Sequence, residues 1–189
     1  MKIETGTVTI LRITDVPRLD PIRVTLDDIG PGQGRINIEC YGKAWASYWG
    51  AMGKDTTLAQ FFASCNNGYL IGNLAPDLRS EKFCGVQLEE DAMKKVLTRR
   101  RRRELDRDTA RDLYDRAQHD LHGCETINEC WHADTELLQT LYGPDEWWYP
   151  VSNAAAIPNP EYTYLERICD AVREALQQVA QRAQAQEGQ

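Results

Sequence analysis

Residues 39–53 hold the densest collection of side chains able to grip a planar, charged ligand. Tyr41, Trp45, Tyr48 and Trp49 are interleaved there with Gly42, Lys43, Ser47, Gly50 and Gly53. Rings stack on a base, glycines let a ligand approach the backbone, and an ammonium meets a phosphate. Tyr41, Lys43, Trp45, Tyr48 and Trp49 are therefore the candidate ligand-binding residues. The competing reading is that aromatics leading off a strand close a small core.

A second candidate is the run Arg99, Arg100, Arg101, Arg102 and Arg103, flanked by Lys94, Lys95 and Arg107. Guanidinium forks suit phosphate or an acidic partner. On a helix, however, five successive residues span more than one turn, so the charges surround the axis and cannot share one face. Glu104, Asp106, Asp108, Asp112 and Asp115 lie close enough in sequence to turn the run into a solvated ion-pair surface, which is the favoured reading.

All three histidines and two cysteines crowd one stretch: His119, His122, Cys124, Cys130 and His132. These are zinc-ligand types, but no CxxC pair occurs and the spacing is not that of a structural zinc site, so they are weak metal candidates. No nucleophile elbow, phosphate-cradling loop or HExxH helix is present. The cluster Gly30-Pro31-Gly32-Gln33-Gly34 lacks the Lys-Ser/Thr ending of a phosphate loop and reads as a hairpin turn. No catalytic residue and no cofactor is expected, although a site assembled from distant residues needs no local signature.

The elements that must position these groups fall into two parts. Residues 7–13, 22–29 and 35–41 alternate with a two-residue period, Val8 and Ile10 marking one face of the first. They predict an antiparallel meander of about three strands, which needs a cover. Residues 43–52 read as a helical turn or short helix. A helix follows from Leu58, capped by Asp55-Thr56 and stopped at Asn66-Asn67-Gly68, then a short helical turn to Leu74 and a connector over 77–85. Beyond Val86 helical periodicity dominates: 89–107, a second helix after Asp108, and a third carrying Ile127, Trp131, Leu137, Leu138 and Leu141. An irregular loop is expected over 145–160, with Trp147, Trp148 and Tyr149 pinned to the core, and then a last helix from Glu161 to about Arg182, loose over 181–189. The fold class is α+β: residues 1–85 a β-meander with its covering helix, residues 86–189 helical, the two forming one cooperative unit.

At 189 residues and 42% apolar content the chain is of ordinary globular make-up. A net charge of −7 argues against a general nucleic-acid binder, which needs a cationic surface. Neither a signal peptide nor a membrane-length apolar run is seen, which predicts cytoplasmic residence and six free thiols.

The run Ile38-Glu39-Cys40-Tyr41-Gly42-Lys43-Ala44-Trp45-Ala46-Ser47-Tyr48-Trp49-Gly50-Ala51-Met52-Gly53, followed by Leu58-Ala59-Gln60-Phe61-Phe62, resembles a family of small proteins encoded by tailed bacteriophages and prophages. The similarity extends to Leu19-Asp20-Pro21, the basic run before Glu104-Leu105-Asp106-Arg107, and Tyr142-Gly143-Pro144 with Trp147-Trp148. The resemblance supplies context and no catalytic residues. It implies a phage accessory protein in the host cytoplasm that counteracts a bacterial defence by binding, without catalysis. Either an oligomer cages a signalling nucleotide, with rings on the base and Lys43 or the arginines on phosphate, or a surface occludes an effector complex such as a CRISPR effector. The alternatives are a phage DNA-binding or regulatory protein using the arginine run, and a nucleotide- or nucleic-acid-processing enzyme with a non-local site.

Overall fold

The computed structural model describes residues 1–3 and 5–187. Contacts divide the chain into Met1–Leu78 with Pro160–Gln189 as one unit and Arg79–Asn159 as the other. The division expected at residue 85 differs because the last helix packs on the N-terminal sheet.

The first unit is built on a sheet of order β1-β2-β3-β4, comprising Thr9–Ile13, Ile22–Gly30, Gln33–Cys40 and Lys43–Trp49, all antiparallel. Ile22, Val24, Leu26, Ile36, Ile38 and Cys40 are buried on one face, as their alternation predicts. In β1 the inward residues are Leu11 and Ile13, opposite Val24 and Ile22. Val8 and Ile10, the apolar pair that seemed in sequence to mark the face, are exposed.

β4 corrects the helical reading of residues 43–52. Cys40 pairs with Lys43 across a two-residue turn, with Tyr41 at φ 48° and Gly42 at φ 73°. Two positive φ values match the twist of the flanking strands and fold the chain straight back as a hairpin. The turn between β2 and β3 is equally tight: Gly32 at φ 69° lies against the backbone of Gly53, and Met52 N–H donates to the Gly32 carbonyl at 2.8 Å. Glycines that looked like ligand contacts serve backbone packing here.

Three helices cover the sheet: α1 (Leu58–Ser64), α2 (Asn67–Leu74) and α8 (Pro160–Glu187). α1 is capped by Thr57 rather than Asp55-Thr56, in a reciprocal box with Gln60. Asn66 is not a stop but the N-cap of α2, accepting from Tyr69 N–H at 2.8 Å. α8 lays Leu165, Ile168, Cys169, Val172 and Leu176 into this core, while Val179 is exposed. Residues 181–187, expected to be loose, continue the helix; Gly188 and Gln189 lie outside the described residues.

The second unit contains α3 (Gly85–Arg101), α4 (Arg107–Asp120), α5 (Ile127–Ala133), α6 (Thr135–Tyr142) and α7 (Trp148–Ala154), with a short antiparallel pair β5 (Glu81–Phe83) and β6 (Ala156–Pro158). The connector over 77–85 and the loop over 145–160 thus each hold regular structure. Pro150 is tolerated because it sits in the first turn of α7, where its missing N–H would have no helical acceptor. The third expected helix is two, split at Asp134, whose carboxylate accepts from Leu137 N–H at 3.0 Å and so starts α6. Leu88, Val96, Leu113, Leu121, Leu137 and Trp147 anchor its core. Among the described residues no helix is long and apolar enough to cross a membrane.

Candidate functional site

The five residues of the β4 region do not converge. The strand period sends Trp45 and Trp49 to the helix side, where Trp45 is half-buried beside Tyr164 with ring centroids 6.4 Å apart and Trp49 is buried against Phe61 at 5.6 Å. Tyr48 points to the opposite, open face and Tyr41 occupies the turn, both exposed. Lys43 is held by Glu161 at 3.1 Å. A shallow depression of about 370 Å³ beside this turn is lined by Pro21, Arg23, Glu39, Tyr41, Lys43 and Ala44. Its second cation, Arg23, lies 3.7 Å from Glu39, so both positive groups already face carboxylates.

The arginine run ends a helix. Arg99, Arg100 and Arg101 fill the last turn of α3, Arg102 is its C-cap, and Arg103 turns the chain at φ 62°. Positive charge at a helix C-terminus meets the negative end of its dipole. Arg99 donates to the Thr140 carbonyl at 2.8 Å and faces Glu104 at 3.5 Å; Arg100 donates to the Leu105 carbonyl at 3.0 Å. Two of the five are therefore engaged in local structure.

The histidine and cysteine stretch is dispersed as well. His122 Nδ1 lies 2.6 Å from the carboxylate of Glu89, a buried acid on α3. His119 and His132 stand in the last turns of α4 and α5. Cys124 and Cys130 are buried, Cys124 Sγ donates to the Asp120 carbonyl at 3.6 Å, and burial raises both thiol pKa values. No group of three or more His, Cys, Asp or Glu among the described residues is arranged to hold a metal.

What sequence periodicity missed is an aromatic ladder on the second unit. Trp131 of α5 lies 5.0 Å from Trp147 and 5.9 Å from Trp148, and Trp148 lies 6.1 Å from Tyr149 (ring centroids). Trp147, at the start of α7, is buried, as expected for a ring pinned to the core; Trp131 is 50% and Tyr149 63% exposed, and Trp148 is intermediate. Trp131 reads in sequence as part of the apolar stripe of a helix. The signal available was that Cys130 beside it already fills the inward position of that short helix. Each exposed ring is thus backed by another ring, which fixes it at little conformational cost and leaves its outer face available.

Fold and surface together define an α+β protein with an open polar sheet face in one unit and a supported aromatic surface in the other. The chain belongs to the phage family Phage_phiTE_072, whose profile matches residues 1–178. No curated protein and no solved structure matches it.

Proposed function

We propose that this phage protein is an accessory factor that counteracts a bacterial defence by binding, covering a surface of a host effector with the ladder Trp131, Trp148 and Tyr149. The observation that carries the reading is that two exposed rings, Trp131 and Tyr149, are backed by the half-buried Trp148, and Trp131 also by the buried Trp147. Tryptophan and tyrosine dominate the energetics of protein interfaces because they bring large, stiff apolar area with few rotors. Membership of a phage family supplies the setting; a defence component as the target is inferred from that setting.

Sequestration of a nucleotide has less support. Trp45, Tyr48 and Trp49 lie on two faces of one strand, and the depression beside its turn is lined by Tyr41 and Lys43 but by none of these three rings. Co-purification with an isolated defence effector from an infected host tests the proposal. The wild-type protein is expected to form a stable complex that Trp131→Ala and Tyr149→Ala each weaken. Heat of binding with cyclic dinucleotides or ADP-ribose-type signals, unaffected by those substitutions, would replace occlusion by sequestration.

A further inference from the structure

The ladder lies in a stretch of unusual charge. Residues 117–159 contain seven acidic residues and not one lysine or arginine, whereas the preceding part of the same unit holds all five arginines of the run. Glu125, Glu129, Asp145 and Glu146 of this stretch are exposed, and among the described residues none of the four forms an ion pair with a lysine or arginine. Asp145 and Glu146 directly precede Trp147, and the Glu146 carbonyl accepts from Tyr149 N–H at 3.1 Å. Glu129, two residues before Trp131 and so on another face of α5, accepts from the Glu125 N–H at 2.6 Å and adds its charge to the segment rather than to the ring itself. Carboxylates and ring faces therefore come from the same two short segments.

We infer that the ladder docks an arginine-rich protein surface, the kind of surface that otherwise holds nucleic acid. This rests on the binding role proposed above and adds the chemistry of the partner. Ring faces carry negative potential and attract cations. The planar guanidinium, unlike an ammonium, can stack on an indole while its edge donates a fork of hydrogen bonds to a carboxylate. A nucleic acid is the wrong occupant, since its phosphates would meet carboxylates with no cation among them. Complementary charge also speeds encounter and rejects acidic partners.

The test is titration of the full chain with nona-arginine, nona-lysine and a single-stranded oligonucleotide, followed by calorimetry and tryptophan fluorescence. Nona-arginine is expected to bind more tightly than nona-lysine, to perturb the fluorescence, and to weaken as salt rises. Trp131→Ala and Trp148→Ala are each expected to reduce its affinity by about 10-fold and to erase the preference for arginine, as loss of an interface tryptophan does elsewhere. Glu146→Lys, at an exposed site that leaves the rings in place, keeps the test open should a tryptophan variant misfold, and is expected to lower affinity too. Equal affinity for the two peptides, affinity indifferent to these substitutions, or binding of the oligonucleotide instead would overturn the inference. Should the ladder variants lose effector capture while nona-arginine fails to bind, the partner chemistry is wrong and the binding role stands. Should the peptide bind through the ladder while effector capture is indifferent to it, the binding role is wrong.

Discussion

Trp131 and Trp147 lie with ring centroids 5.0 Å apart, one ring half-exposed and the other fully buried. The pair joins surface to core, so the two rings should separate stability from binding. Replacing Trp147 by alanine opens a cavity in the second unit and should cost about 3–5 kcal/mol. Trp131→Ala removes mainly exposed area and one ring contact, about 1–2 kcal/mol. Urea unfolding of both variants measures the difference, and equal losses would mean that Trp131 is a core residue and no platform.

Three glycines make a second prediction. A Cβ on Gly32 would come within 2.5 Å of the Gly53 carbonyl oxygen, at a φ of 69° that already disfavours a side chain. On Gly85, a Cβ would collide with the carbonyl oxygens of Leu121, His122 and Cys124. Gly72, inside α2, has nothing within 4 Å. Gly32→Ala and Gly85→Ala should each destabilise by about 2 kcal/mol or more, while Gly72→Ala should stabilise by about 0.5–1 kcal/mol. Thermal melts of the three variants report the order, and a reversal at Gly72 would contradict the placement of that residue in a helix.

Arg116 and Asp134 contribute to the acid sensitivity of the second unit. Two bonds of 2.7 and 2.8 Å join the guanidinium to the carboxylate, and the Arg116 bond holds the Asp134 pKa below its ordinary value. A depressed folded-state pKa means that the carboxylate stabilises the fold above its unfolded pKa of about 4, and that this contribution fades as pH falls through the lower folded value. Arg116 is close to one-third exposed, which reduces the buried-pair figure, so Asp134→Asn, which keeps an oxygen to cap α6 but loses the charge, should cost about 1–2 kcal/mol at pH 7. Denaturant titrations at pH 7 and pH 3 should show the gap between wild type and variant narrowing in acid; a constant gap would sink the assignment.

The thiols offer a probe of packing. Burial pushes Cys169 up to about 12 and raises Cys130 further, and both side chains are fully buried. Only the thiolate reacts with a disulfide reagent. At pH 8 Cys130 and Cys169 should stay silent in the folded protein, whereas all six cysteines should react in denaturant without prior reduction. Rapid reaction of six thiols under native conditions would contradict the cores described.

How far these features could be read in advance depended on whether a single periodicity governed them. β2 and β3 were legible because Ile22, Val24, Leu26 and Ile36, Ile38, Cys40 alternate cleanly with polar residues. β4 was not, since aromatics occupy both of its faces, alanines take the outer positions where polar residues would mark the period, and its turn places Tyr41 at positive φ without an Asn-Gly or Asp-Gly signature. The split at Asp134 was only half legible: its cap on Leu137 is local, but the ion pair that fixes the carboxylate comes from Arg116, eighteen residues away. Of the surface features, the arginine run departed from the continuous helix expected over 89–107, because α3 ends at Arg101 and Arg103 turns the chain at positive φ. The ladder escaped because rings from α5 and α7 meet only through tertiary packing, and a tryptophan in an apolar stripe looks the same whether it is buried or half in water.

The central claim, that this phage protein acts on a host defence through its aromatic ladder, is tested most directly by plating. A phage lacking the gene is complemented with wild type or with a Trp131→Ala and Tyr149→Ala double variant, on hosts carrying individual defence systems and on a host with none. The account predicts that at least one defended host restricts the deletion phage, that wild type restores plating there, and that the double variant, folded by circular dichroism, does not. Full restoration by the double variant, or equal plating of the deletion phage on every host, would contradict it.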